Sequence, residues 1–150
     1  ADSLPPITQT GANSFGCLIN GNVFVPKGYF YPKPNYDLVI DPNFQNGNFH
    51  LKTYQYVNGK FHLLSIFSND IHSTGNFQAG THGPVYVDLL NDSGCGFSQD
   101  TTDYISGALT ISKYDLVNRI FSGTFHFKLK ENGQACDTIR ITQGRFDKQL

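Results

Sequence analysis

Apolar and polar residues alternate with a period of two over most of this chain, which is the pattern of strands with one buried and one wet face. The clearest case is a hairpin. Residues 48–57 (NFHLKTYQYV) run into Asn58-Gly59, and residues 60–68 (KFHLLSIFS) return. Asn-Gly suits a two-residue turn because both turn positions need φ > 0. Pairing Val57 with Lys60 sets Gln55 opposite His62 and His50 opposite Phe67. His50, Lys52, Tyr54, Tyr56, Phe61 and Leu63 then share one face, and Leu51, Thr53, His62, Leu64 and Ile66 share the other.

Further strands are expected at 15–19 and 23–25 around Asn20-Gly21, and at 38–40, 84–90, 104–113, 119–130 and 138–142, with a final piece at 145–147. In 104–113, Leu109 and Ile111 alternate with Thr110 and Ser112. In 119–130, Phe121, Phe125, Phe127 and Leu129 fall on one side with Gly123 between them. The core is expected to comprise Phe15, Leu18, Val23, Leu64, Ile66, Val85, Val87, Leu109, Ile111, Phe121, Phe125, Phe127 and Ile139. Residues 26–36 (PKGYFYPKPNY) form a loop or a stiffened edge, because proline cannot donate to a ladder. Residues 69–83 and 91–103 read as polar loops, the first with room for a helical turn or a short strand. Residues 1–14 have no apolar period and carry Pro5-Pro6. They read as an extended tether, at best lightly pinned at its end, ahead of one β domain at 15–150.

Composition agrees with strands. The single glutamate is Glu131 and methionine is absent, while there are 13 Phe, 8 Tyr and 15 Gly. Strong helix formers are scarce, and strand and turn residues abound. The expectation is an all-β antiparallel sandwich or flattened barrel of eight to ten strands, nearly all joined to their sequence neighbours. A net charge of -1 gives no electrostatic reason for a nucleic-acid partner. No apolar run is long enough for a membrane-spanning helix, and a secretion leader is either absent or already removed.

Three stretches, LPPITQTGANSFGCLING (4–21), GALTISKYDLVNRIFSGTFHF (107–127) and DTIRITQGRFD (137–147), resemble a family of uncharacterised Bacteroidetes envelope lipoproteins, a domain of unknown function. The resemblance runs through most of the chain in order, with 28–100 the most divergent part. It implies an exported protein at the cell envelope, held to the outer membrane by a lipid on a cysteine upstream of the opening motif. No cysteine precedes Leu4, so the anchor is implied by the resemblance alone. The family offers no catalytic or binding residues to transfer.

Candidate chemistry is sparse. Cys17 lies among apolar residues and reads as a buried thiol acting as a small hydrophobe. Cys95 and Cys136 sit in Gly-rich loops and are the expected disulfide in an oxidising compartment. His50 and His62 point to opposite faces and cannot share a site, and His126 is on an outer face. His72 and His82, with Asp70 near, could hold a metal, with solvated loop histidines the plainer alternative. Asp92, Asp100 and Asp103, with Asn91, Ser93 and Gly94, make an oxygen-rich loop that could take calcium, although its spacing is not that of an EF-hand. No nucleophile elbow or paired Glu occurs, so no enzyme and no cofactor is expected.

Tyr29, Tyr31 and Tyr36 (with Phe30), and Tyr54 and Tyr56 beside His50 and Lys52, offer flat rings near polar groups, as sugar or peptide recognition requires. The alternative is that these rings only cap the open end of the core. Asp115, Asn118 and Arg119 in YDLVNR, and Gly144, Arg145 and Phe146 in QGRFD, read as structural. The leading expectation is a non-catalytic envelope domain binding a glycan, peptide or protein. A purely structural module, or a carrier of an apolar ligand inside a hollow barrel, are the alternatives.

Overall fold

The computed structural model describes residues 2–80, 83–90, 96–97, 104–130 and 138–150. None of them is helical. Eleven strands are present: β1 (Ser14–Ile19), β2 (Asn22–Phe24), β3 (Tyr36–Asp41), β4 (Asn48–Val57), β5 (Lys60–Ser68), β6 (Gly75–Gln78), β7 (Val85–Leu90), β8 (Gly96–Phe97), β9 (Tyr104–Asp115), β10 (Ile120–Lys130) and β11 (Ile139–Gln149). They form two antiparallel sheets, ordered β2-β1-β11-β10-β9-β6 and β3-β4-β5-β7-β8. The sheets pack as a sandwich and do not close into a barrel, so the geometry on which a hollow carrier depended is not met.

The hairpin register holds as expected: Val57 pairs with Lys60, Gln55 with His62 and His50 with Phe67. Asn58 and Gly59 take φ of 54° and 73°, the left-handed pair that such a turn demands. The connectivity is less simple than a meander. β5 pairs β7 across the sequence of β6, while β6 crosses to the other sheet beside β9, and β1 pairs β11. The pieces expected at 138–142 and 145–147 are one strand, Ile139–Gln149. A register shift between Phe125 and Phe127 lets β11 pass the interruption around Gln143 (φ 52°) unbroken.

Phe49, Phe121 and Phe146 are among the largest fully buried side chains, and Leu51, Ile66, Ile111 and Ile141 fill the space around them. Burying each such side chain contributes about 1.5–3 kcal/mol. Leu18 and Val23, expected inside, are only half-buried. The bulge in β1 turns Phe15 and Cys17 inward instead, and Phe24 replaces Val23. The QGRFD segment is structural in detail. A Cβ on Gly144 would lie 2.3 Å from two ring carbons of Phe125, so only glycine lets that ring lie over the strand. Phe146 meets Phe49 edge to face across the core at 5.9 Å. In the YDLVNR turn, the Asp115 carboxylate accepts from the Asn118 amide and side chain and from the Val117 amide, and these bonds hold it below the usual carboxylate range.

Residues 2–13 are not a loose tether. They lie on the outer face of the first sheet, held by Asp147 of β11, which is 1% exposed. Its carboxylate accepts from Thr8 Oγ1 (2.6 Å), from the backbone amides of Thr10 (3.0 Å), Gly11 (2.8 Å) and Ala12 (3.1 Å), and from Ser122 Oγ (2.7 Å). Arg145 donates to the Pro5 carbonyl and Lys113 to that of Gln9. Gly16 leaves the space that Pro5 fills, since a Cβ there would sit 2.7 Å from the Pro5 ring.

Candidate functional site

Several of the candidate side chains lie on the outer face of the second sheet. Its residues follow from strict alternation. β3, β4, β5 and β7 turn Leu38, Leu51, Leu64 and Val87 inward, so their neighbours point out. Cross-strand pairing arranges these neighbours in rows. Tyr56 faces Phe61, and Tyr54 faces Leu63, which faces Leu90. The next row is Asp37, Lys52, Ser65 and Asp88, and after it come Val39, His50, Phe67 and Tyr86. A charged and hydroxyl row therefore lies between two ring-bearing zones.

The loop at 25–35 crowns one end. Tyr29, Phe30 and Tyr31 are 60%, 49% and 80% exposed. The Tyr29 and Tyr31 rings meet edge-on at 6.4 Å. Phe30 folds back onto Tyr56 (5.2 Å) and Phe61 (5.8 Å), which joins the loop to the sheet. The loop is held by main-chain bonds between Lys27 and the Tyr54 carbonyl and Tyr56 amide, and between Asn35 and the Tyr54 amide. Gly28 sits so close to β4 that a Cβ would be 2.0 Å from the Tyr56 carbonyl oxygen, and its φ is 72°.

Two of the five candidate tyrosines have other roles. Tyr54 is 6% exposed because the 25–35 loop lies over it. Its hydroxyl accepts from the Phe30 amide at 2.9 Å and donates to the Lys33 carbonyl, and its ring stacks on Phe61 at 5.2 Å. It props the platform from beneath. Tyr36 is 9% exposed and points inward as the first residue of β3, not from the loop. Its hydroxyl donates to the Ser14 carbonyl, its ring contacts Phe15, and Lys148 Nζ lies 4.3 Å above it. Burial and then the nearby Asp147 charge push its hydroxyl above the usual tyrosine range. Tyr36 is a seam between the sheets. Tyr29, Tyr31 and Tyr56 remain accessible as ligand candidates, and Phe61, Phe67 and Tyr86 join them on the same face. Alternation in the 48–68 hairpin already put Phe61 there. Tyr86 was hidden because nothing local says that β7 pairs with β5.

His50 donates to or accepts from Ser65 Oγ at 2.9 Å and packs on Phe67. Burial first, and then the Lys52 charge, lower its pKa from 6.5 against the opposing pull of Asp37. His62 lies on the opposite side, at a recess of about 310 Å³ with Phe24, Leu89 and Ile139. His72 Nδ1 bonds the Asn46 carbonyl, and His82 lies outside the described residues. So do Asp92, Asp100 and Asp103 of the calcium loop, and Cys95 and Cys136. Among the described residues no cluster of three His, Cys, Asp or Glu could hold a metal. Cys17 is buried, and burial pushes its thiol up to about 12.

No family model, curated protein or solved structure matches this chain.

Proposed function

We propose that this chain is a non-catalytic recognition domain that binds a glycan on the outer face of the second sheet, and, following the resemblance of its terminal motifs, that it does so at the cell envelope of an exporting bacterium, where a lipid anchor holds it to the outer membrane. The observation that carries the proposal is the exposed trio Tyr29, Phe30 and Tyr31, continuous with Tyr56 and Phe61. Sugar rings present C–H faces that stack on aromatic rings, and their hydroxyls need both donors and acceptors close by. Lys52, four residues from Tyr56 along β4, and its cross-strand partner Asp37 supply these.

The test is affinity electrophoresis and a thermal-shift screen against plant, bacterial and host polysaccharides. A ligand at a hundred times its Kd stabilises by about 2.7 kcal/mol, a shift of several degrees at this size. The expected result is a glycan hit that the Tyr29→Ala/Tyr31→Ala double variant abolishes while its own melting temperature stays that of the parent. A hit indifferent to both tyrosines, or capture of a protein and no glycan, overturns the proposal.

A further inference from the structure

At the far end of the same face, a polar cleft of about 390 Å³ opens between the turn after β3 and the loop after β5. Gln45, Asn46, Asn69, Asp70 and Tyr86 line it. Three primary amides and a carboxylate beside one aromatic ring give paired donors and acceptors for neighbouring hydroxyls, with a flat surface for a ring to lie on.

The cleft is built on touching backbones. The Asn46 amide donates to the Asn69 carbonyl at 3.1 Å, and the Ile71 amide donates to the Gly47 carbonyl at 3.0 Å. A Cβ on Gly47 would stand 2.2 Å from the Ile71 carbonyl oxygen, so the two loops approach as closely as only glycine permits. The Asp70 amide is tied to Ser68 Oγ at 3.0 Å. The side chains of the cleft therefore project from a fixed frame and need little ordering on binding.

Tyr86 belongs to both the cleft and the sheet. Its ring packs on Phe67 at 5.4 Å, and Phe67 packs on His50 at 5.4 Å. From Phe67 to Phe61 is six residues along β5, about 20 Å at the rise of a strand. Between these ends lies the row Asp37, Lys52, Ser65 and Asp88. An apolar protein face pressed over that row would strip water from the Asp37 carboxylate and the Lys52 ammonium group without replacing their hydrogen bonds. A neutral chain of hydroxyl-bearing rings replaces them, because each hydroxyl donates to a carboxylate or accepts from Lys52.

We infer that the cleft at Tyr86 is a second sugar subsite, and that one extended neutral oligosaccharide runs across the sheet from Tyr31 to Asn69 and Asp70. This rests on the glycan reading and adds a length requirement to it, because a disaccharide is too short to span the two ends.

The experiment is isothermal titration of the protein with cello-, xylo-, malto- and chito-oligosaccharides from disaccharide to hexasaccharide. In the series that binds, affinity is expected to rise about tenfold or more with length, equivalent to about 1.4 kcal/mol or more. Tyr86→Ala and Asn69→Ala each remove that gain, so that the hexasaccharide binds the variant no more tightly than the disaccharide does. Tyr31→Ala weakens every length. Asn69 is exposed, so its variant keeps the fold even if that of Tyr86 does not. A series that binds with no dependence on length, or with the same loss at all lengths in Asn69→Ala, overturns the second subsite and leaves the first standing. No binding by any series, together with a blank polysaccharide screen, overturns both.

Discussion

Asp147 should hold the N-terminal segment in place, and the strength of that hold can be worked out. Burial alone would raise its pKa. Bonds from Thr8, Ala12, Ser122 and Gly11 outweigh burial and bring it down from 3.8 to about 2. A depressed carboxyl pKa means that the folded state binds the proton less well than the unfolded chain does. The resulting stability is fully present above about pH 5 and is lost as pH falls through the folded pKa. The shift is worth about 2.4 kcal/mol at pH 7, of which about half remains at pH 3 and little at pH 2. Asp147→Asn keeps the size but turns an NH₂ group toward donors, so at pH 7 it should cost about 2–4 kcal/mol. Urea unfolding of both proteins from pH 7 to pH 2 is the assay. The other carboxylates titrate in both, so the gap between the two curves isolates Asp147, and it should narrow by about 2 kcal/mol over that range. Hydrogen exchange gives a local readout, because the Thr10, Gly11 and Ala12 amides should lose protection in the variant. A gap constant with pH, or these amides exchanging freely in the parent, would refute the reasoning.

Three further outcomes are expected. Gly28→Ala, which forces a Cβ against the Tyr56 carbonyl at positive φ, should unseat the 25–35 loop at a cost of about 1–3 kcal/mol and take glycan affinity with it; parental binding would contradict this. Cys17, its thiol pushed up to about 12 by burial, should resist a thiol reagent in the native protein. If Cys95 and Cys136 are paired, denatured unreduced protein should then release one thiol and reduced protein three; that bond would close about 42 residues and contribute roughly 4 kcal/mol. His50 should titrate below 6.5 by NMR, since burial and Lys52 disfavour its proton. Its contribution to stability is whole above the unfolded value and declines as pH drops below it; a midpoint at or above 6.5 would count against the packing described.

The hairpin of β4 and β5 was legible because Asn58-Gly59 fixes its register, and alternation then assigns every side chain to a face. Sheet membership was not legible. β6 carries Gly75, Asn76, Phe77 and Gln78, mostly exposed at a sheet edge, so no buried face imprints a pattern on it. Its pairing with β9 and the skip from β5 to β7 are long-range events. The same holds for the tyrosines. Period two correctly put Tyr54 on the outer side, but its burial comes from a loop twenty-odd residues earlier in the chain. Tyr36 sits just after prolines, and nothing local marks it as the inward-facing start of β3. The N-terminal segment showed no period because side-chain acceptors, not a ladder, hold it. Its one clue was a lone acid in QGRFD opposite a stretch of Thr and Gly.

The two outer faces differ in a way that bears on function. Over β1, β10 and β11 the chain covers its own sheet with residues 2–13 and satisfies the buried carboxylate beneath them. Over β4, β5 and β7, among the described residues, the Phe30 loop folds down and covers Tyr54, and it leaves Tyr29 and Tyr31 exposed. Contiguous exposed aromatic surface invites association, so it tends to mark a place where something binds. The rival idea, that these rings merely seal the core, makes a different demand. Sealing rings must touch the core, and their removal must cost stability. Tyr29 and Tyr31 are not part of the buried cluster and contact each other at the surface. Tyr31→Ala should therefore change stability by no more than about 0.5 kcal/mol. A loss of several times that would move the tyrosines back to a structural role, whereas a neutral change with lost glycan affinity leaves recognition as the reason for their exposure.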